Sequence, residues 1–287
     1  MSHGPEPLAG GAPLIDVHAH FYHDGCGRAH WRELNAARLE AGRRIGITVH
    51  VGSVLGSWGR TSPIYFASPD DVRAGNDAMF AFEREHADLV RSYVHVNPNE
   101  GAGALDELER GAAAGAIGLK LAAARRADDA LLDDLAAEAG RRHMPVLHHI
   151  WQHRRRHWPS QDISDGSDLV RLAARHPDTT FILAHIGGGG DWAHSCAALR
   201  DVPNVVVDLS GSGIDRGMLD DVIAAVGASR MLWGADITLE TGLAKLWALD
   251  ELKLAPEDID AIRWRNAERI FPAGVFPPLA IGTAVTR

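Results

Sequence analysis

Short apolar runs alternate with amphipathic stretches along most of the chain. The runs are apolar almost throughout, which is typical of strands that other elements cover on both faces. They span residues 14–17, 46–51, 91–96, 116–121, 145–149, 180–184, 204–209 and 231–234. We interpret these eight runs as buried β-strands.

The stretches between the runs repeat apolar residues at helical spacing, and some begin with helix-start signals. Ser68 suits an N-terminal cap, and Pro69 suits the first turn after it. The predicted helices span residues 31–44, 70–86, 103–114, 128–142, 166–176, 191–199, 215–226, 240–252 and 256–270. Strands that alternate with helices in this way predict a parallel sheet.

Eight such units within 287 residues favour a single-domain (β/α)8 TIM barrel over an open doubly wound sheet. No Gly-x-Gly-x-x-Gly fingerprint follows the first strand, which further disfavours a dinucleotide-binding sheet. The predicted barrel occupies residues 14–271, between an N-terminal extension at residues 1–13 and a C-terminal tail at residues 272–287.

Composition excludes some classes of partner. The formal net charge of −9 disfavours a nucleic-acid-binding surface, which normally carries a basic stripe. No apolar stretch approaches the length of a membrane helix, and the N-terminal residues lack a secretory-signal pattern. The two cysteines fit a reducing compartment, so we expect a cytoplasmic protein. The 16 histidines are unusually many, and imidazole is the commonest metal ligand.

Polar residues follow several of the predicted strands. The carboxyl ends of barrel strands form the active site in this architecture. His18 and His20 end the first strand, and residues two apart on a strand point the same way. His149 ends the fifth strand, His185 the sixth and Asp236 the eighth. Each residue alone could be a hydrogen-bonded core residue, but together they predict a site for zinc, iron, manganese or cobalt.

Five segments resemble the amidohydrolase superfamily. Residues 14–20 look like its first-strand His-x-His motif, and residues 145–149, 181–188 and 231–236 resemble the fifth, sixth and eighth strand segments. Residues 265–271 resemble the Asn-Ala-x-Arg-Leu-Phe close of one branch. That branch contains aminocarboxymuconate-semialdehyde decarboxylase, resorcylate-type decarboxylases and several lactone hydrolases. The resemblance extends from about Leu14 to Phe271.

The resemblance implies roles for the strand-end residues. One divalent metal would be bound by His18, His20, His149 and Asp236; zinc is the expected ion, with manganese, iron and cobalt as alternatives. His185 would act beside the metal, where it holds water or polarises the substrate. The position of the fifth-strand proline favours His149 over its neighbour His148, which strand alternation then directs away from the site as a structural residue. Asp16 also faces away and is interpreted as structural.

Lys120 on the fourth strand has three interpretations. It could contact substrate in a one-metal site, or it could be carboxylated and bridge two metals with His185 as a further ligand. It could also be a barrel-lining lysine that pairs with an acid.

The loops after the strands are expected to select a small-molecule substrate. Trp58 follows the second strand, and Trp151, His153 and Arg154 follow His149. Arg154 or His153 could meet a substrate carboxylate, although the basic run at residues 154–156 could also be a solvated loop edge.

Three functions fit these residues. A metal ion with one carboxylate ligand and neutral imidazoles lowers the pKa of bound water to roughly 7, which predicts hydrolysis of a lactone, amide or ester. Asp236 would then carry the proton from the water to the leaving group. The alternative is a non-oxidative decarboxylase. A non-catalytic metal-binding barrel is disfavoured, because structural zinc sites are usually closed shells rich in cysteine. A homodimer is compatible with the resemblance, although no residue pattern identifies an interface.

Overall fold

The protein is a (β/α)8 TIM barrel, as the alternation of strands and helices predicts. The computed structural model describes residues 12–54, 67–150, 163–187, 192–211, 213, 217–237 and 239–278. The eight strands form one parallel sheet in chain order. Trp233 O accepts from Val17 N at 3.1 Å, and a bridge joins Ala19 to Asp236, so the end of the sheet returns to its beginning.

The strands and helices lie close to their predicted positions. The strands are β1 (Ile15–Phe21), β2 (Val49–Val54), β3 (Val90–Val96), β4 (Gly118–Leu121), β5 (Val146–His149), β6 (Phe181–Ala184), β7 (Val205–Asp208) and β8 (Met231–Leu232). The helices are α1 (Trp31–Ile45), α2 (Pro69–Glu85), α3 (Ala102–Ala113), α4 (Asp133–Arg141), α5 (Gly166–Arg175), α6 (Trp192–Leu199), α7 (Met218–Val226), α8 (Leu239–Glu251), α9 (Pro256–Asp260) and α10 (Asn266–Ile270).

Two elements differ from the pattern in an informative way. The first apolar run ends at Val17, but β1 continues to Phe21 through two buried histidines. The last predicted helix, residues 256–270, is divided because a π-helical turn at Ala261–Arg265 separates α9 from α10. No helix in the described part of the chain has the length and apolarity of a membrane span.

The core has two layers, one inside the barrel and one between the strands and helices. The inner layer includes Val51, Leu147, Ile182, Val206 and Leu232, and the outer layer includes Leu119, Val146, Leu183, Val205 and Leu172. Trp264 and Phe271 pack at the amino-terminal end of the inner layer, and Phe276 of the predicted tail packs against Phe271. This end of the barrel is therefore filled, which leaves the carboxyl ends of the strands for a site.

Asp16 links four segments where the barrel closes. Its side chain accepts from Arg38 Nη2 at 3.0 Å and from the amide of Ala235 at 2.9 Å, and it lies 3.0 Å from His50 Nδ1. Burial alone would raise the pKa of Asp16, but the His50 hydrogen bond and the Arg38 charge lower it to about 2. An ionised Asp16 thus holds α1, β2 and the segment after β8 against β1, which agrees with its structural interpretation.

We expect Asp16→Asn to destabilise the fold by about 3–5 kcal/mol, because the buried Arg38 would lose its charge partner. Chemical denaturation of metal-free protein measures this change. Asp88→Asn, at an exposed position, is the matched control and should change the free energy of unfolding by less than about 0.5 kcal/mol. Equal stabilities of the two variants would contradict the structural role of Asp16.

Candidate metal centre

His18 and His20 of β1 direct their rings to one point. Their Nε2 atoms lie 3.1 Å apart, and both side chains are buried. The other ring nitrogens have separate partners: His18 Nδ1 lies 2.9 Å from Asp208 Oδ2, and His20 Nδ1 lies 3.2 Å from Ser53 Oγ. A hydrogen-bond acceptor next to Nδ1 favours the tautomer that carries its proton on Nδ1. The lone pair of Nε2 then remains available to bind a metal.

Asp236 completes a group of three ligand atoms. Its Oδ1 lies 3.1 Å from His20 Nε2 and 3.9 Å from His18 Nε2. Burial would raise the pKa of Asp236, but the neighbouring His185 and His20 side chains hold it well below its usual range. The carboxylate is therefore ionised and available as a ligand.

The buried imidazoles are neutral at physiological pH. Burial lowers the pKa of His20, lowers those of His18 and His149 well below the ordinary value, and lowers that of His185 to about 3. Neutral imidazole is the form that binds metals. Two neutral imidazoles and one carboxylate at a common point match the three-ligand pattern of catalytic metal sites, so these residues fit a divalent ion.

His149 contacts His185, and His185 in turn lies next to Asp236. Its Nδ1 lies 3.0 Å from His185 Nε2, and His185 Nδ1 lies 3.6 Å from Asp236 Oδ2. Within the described residues, the groups of ligand atoms that lie within 4.8 Å of one another are His18, His20 and Asp236, and His18, His185 and Asp208. His149 belongs to neither group, so its assignment as a ligand stays a prediction.

His185 and Asp236 have left-handed backbone conformations, with φ of 72° and 57°. Such angles are uncommon for residues other than glycine and cost of order 1–3 kcal/mol. Both residues lie just after strands that end at the site. Strained backbone at these two positions supports a functional role, because the surrounding structure must stabilise it.

Lys120 lies inside the barrel next to His18. Its Nζ is 2.9 Å from His18 Nε2, and burial lowers its pKa to about 8. Within the part of the chain that the structure describes, no carboxylate lies at ion-pair distance from this ammonium group. The charges of Asp236 and Asp208 act on Lys120 from a longer distance and raise its pKa, against the effect of burial.

His148 points to the opposite face of β5. It pairs in register with Leu121 and Leu183, which belong to the layer between strands and helices. Its Nδ1 lies 2.9 Å from the carbonyl oxygen of His149. This orientation agrees with the interpretation of His148 as a structural residue.

Some residues around the centre are absent from the predicted set. Asp208 ends β7 after three valines, so the strand-end rule that identified the histidines could also have found it. Ser210 lies 3.0 Å from His185 Nδ1. His95 of β3 lies in register with Lys120, inside the barrel. Lys245 of α8 is buried and donates to Gly211 O, and no local pattern indicates its position.

The structure does not test the loop residues that were predicted to contact substrate. Trp58, Trp151, His153 and Arg154 lie outside the described residues. Their contact with substrate stays a prediction.

Comparisons with known proteins give the family. A family model described as Amidohydrolase matches residues 15–273. The fold is similar to that of 2,6-dihydroxybenzoate decarboxylase complexed with 2,6-dihydroxybenzoate, at 16% identity and a TM-score of 0.69, over 90% of this chain and 98% of that chain. A search of curated proteins finds no sequence match.

Two further structures show the same fold. A dihydroxybenzoic acid decarboxylase from Polaromonas sp. JS666, with bound manganese and the inhibitor 2-nitroresorcinol, has 17% identity and a TM-score of 0.68, over 90% of this chain and 96% of that chain. A 4-oxalomesaconate hydratase from Rhodopseudomonas palustris has 14% identity and a TM-score of 0.60, over 90% of this chain and 95% of that chain.

The family match covers the whole barrel and includes every strand-end residue of the centre. The resemblance predicted from the five sequence segments is confirmed. The chain belongs to the amidohydrolase family.

Proposed function

We propose that this protein is a metal-dependent, non-oxidative decarboxylase of a small carboxylate substrate. The observation that carries the proposal is the buried ammonium of Lys120, 2.9 Å from His18 Nε2. A buried cation is costly unless an anion compensates it. The charges of Asp236 and Asp208 act on Lys120 only from beyond ion-pair distance. A substrate carboxylate held beside the metal would supply an anion in direct contact, whereas the carbonyl group of a neutral lactone, amide or ester would not.

His18, His20 and Asp236 would hold the metal, with His149 as a fourth ligand after a change in its contact with His185. The ion is one divalent metal, with zinc expected and manganese, iron or cobalt as alternatives that the same donors accept. When bound, it would act as a Lewis acid that polarises an oxygen of the substrate. Manganese in the decarboxylase from Polaromonas sp. JS666 supports a divalent ion in this fold.

The residues of the chain would bind the carboxylate and supply a proton. Lys120 would orient the carboxylate by a charge-assisted hydrogen bond from Nζ. The bond between the carboxylate carbon and the substrate carbon breaks, the electron pair stays on the substrate carbon, and carbon dioxide leaves. A proton taken up from solvent then bonds to that carbon, so that one proton is consumed for each carbon dioxide released. His185 and Asp236 are the proposed proton carriers, because His185 Nδ1 lies 3.6 Å from Asp236 Oδ2.

The structures of similar fold give further support. The 2,6-dihydroxybenzoate decarboxylase and the dihydroxybenzoic acid decarboxylase from Polaromonas sp. JS666 have the barrel fold of this chain and remove carbon dioxide from aromatic carboxylates. Hydrolysis of a lactone, amide or ester stays a prediction. The two-metal arrangement, in which Lys120 is carboxylated and His185 is a ligand, also stays a prediction.

A parallel assay of carbon dioxide release and acid release tests the proposed reaction. The metal-loaded protein should release carbon dioxide from at least one member of a panel of hydroxybenzoates and should release no acid from a panel of lactones. Acid release from a lactone, without carbon dioxide release from any carboxylate, would show that the protein is a hydrolase instead.

The role of Lys120 is tested by Lys120→Met, which removes the ammonium group and its charge and keeps an unbranched side chain of nearly the same length. We expect KM for a carboxylate substrate to rise about 10- to 100-fold, because one charge-assisted hydrogen bond is lost. The control is Lys253→Met at an exposed position, which should leave KM unchanged. An unchanged KM in Lys120→Met, with the metal still bound, would exclude Lys120 from substrate binding.

The ligand set is tested by metal analysis of two variants. His149→Ala should lose the metal and its activity while circular dichroism shows a folded barrel, since a ligand is removed. His185→Ala should keep the metal, and its kcat should fall about 100-fold or more, since a proton carrier is removed. Metal retained by His149→Ala would exclude this histidine as a ligand, and metal lost from His185→Ala would make His185 a ligand.

A further inference from the structure

Helix α8 lies very close to the segment after β8. Gly242 has no side chain, and a Cβ there would lie 2.9 Å from Trp233 Cζ2 and 3.2 Å from the Cβ of Ala235. Trp233 Nε1 also donates to the carbonyl oxygen of Gly242 at 3.1 Å. Lys245 follows three residues later, on the same face of the helix. This close approach therefore directs the Lys245 side chain into the protein interior, where it is 1% exposed.

The ammonium group of Lys245 lies between the segments that follow β6 and β7. It donates to the carbonyl oxygen of Gly211, after β7. A Cβ at Gly187, after β6, would lie 3.0 Å from Lys245 Nζ, so the ammonium group packs against the backbone there. Gly213 N donates to Gly187 O at 2.7 Å and joins the two segments to each other. Lys245 thus connects α8 to two segments at the carboxyl ends of the strands.

The contact between Lys245 and Gly211 is a hydrogen bond from a charged donor. Burial lowers the pKa of Lys245 to about 8, although the charges of Asp208 and Asp236 raise it. The group is therefore mostly charged at pH 7, and a charged donor makes a stronger hydrogen bond than a neutral one. Gly211 has a left-handed φ of 99°, which glycine adopts without steric cost. The ammonium group therefore fixes the direction of a carbonyl group in a backbone that would otherwise have unusual freedom.

Ser210, the neighbour of Gly211, lies between Asp208 and His185. Its hydroxyl and its backbone amide both donate to Asp208 Oδ1. A hydroxyl has one hydrogen, so toward His185 Nδ1, which is 3.0 Å away, the oxygen of Ser210 can only accept. This contact favours the tautomer of His185 that carries its proton on Nδ1. The same nitrogen faces Asp236, 3.6 Å from Oδ2.

We propose that Lys245 is a positioning residue for His185. By holding the carbonyl group of Gly211, it fixes the hydroxyl of Ser210, which keeps the proton of His185 on Nδ1. Proton exchange between His185 and Asp236 would depend on this tautomer, so Lys245 would influence turnover without touching the substrate. The effect on turnover rests on the proposed function, whereas the effect on the tautomer does not.

Long-range correlations between proton and nitrogen-15 nuclei in NMR spectra of zinc-loaded, histidine-labelled protein report the tautomer of His185. Its signals are assigned by their loss in His185→Ala. The wild type should carry the proton on Nδ1, and Lys245→Met should show a mixture of the two tautomers with an unchanged metal content. A single Nδ1-protonated tautomer in Lys245→Met would overturn the proposal, as would a wild type protonated on Nε2. If Lys245→Met does not fold, Lys245→Gln also removes the charge and gives the same comparison.

A double-mutant cycle tests whether Lys245 acts through Ser210. Lys245→Met and Ser210→Ala should each lower kcat about 10-fold and change KM by less than about twofold. The double variant should also lower kcat only about 10-fold, because both changes break the same chain of contacts. A fall of about 100-fold in the double variant, or a change in KM alone, would contradict the proposal. Lys253→Met, at an exposed position just after α8, is the control and should leave kcat unchanged.

The two kinds of experiment separate the role of Lys245 from the proposed reaction. A protein that releases no carbon dioxide could still show the tautomer change, which would support the role of Lys245 and refute decarboxylation. An active decarboxylase in which Lys245→Met leaves the tautomer and kcat unchanged would refute the role of Lys245 alone.

Discussion

The backbone amide of Asp236 donates to the carbonyl oxygen of His18 at 2.6 Å, and this hydrogen bond joins the end of β8 to β1. It brings together two residues that are far apart in the chain, so that a carboxylate and two imidazoles share one point. Asp236 has a left-handed φ of 57° at this position. The buried carboxylate of Asp16 stabilises the same closure through the amide of Ala235 and through Arg38. The proposed metal centre therefore depends on barrel closure.

The electrostatics of the centre follow from its burial. Low solvent access keeps His18, His20, His149 and His185 neutral, so their lone pairs are available to a metal at physiological pH. Lys120 keeps its charge up to a pKa of about 8. A divalent ion would add positive charge beside this ammonium group. Such a site favours an anionic substrate, which is why we favour a carboxylate over a neutral ester or amide.

The sequence predicted the fold because the strands are mostly apolar and the connections between them carry helical periodicity. It predicted the site region because His18, His20, His185 and Asp236 lie at strand ends, where barrel geometry must bring them together. It could not predict pairings that depend on side-chain packing. The ring contact between His149 and His185 and the approach of Lys120 to His18 depend on rotamers inside the barrel.

We expect His18, His20 and Asp236 to form a single divalent metal centre. Elemental analysis of protein purified without chelator measures its occupancy. The wild type should contain about one ion per chain, and a His20→Ala variant that remains folded should lose that ion. A wild-type protein that binds no metal, even after metal is added back, would show that these three residues do not form a metal centre.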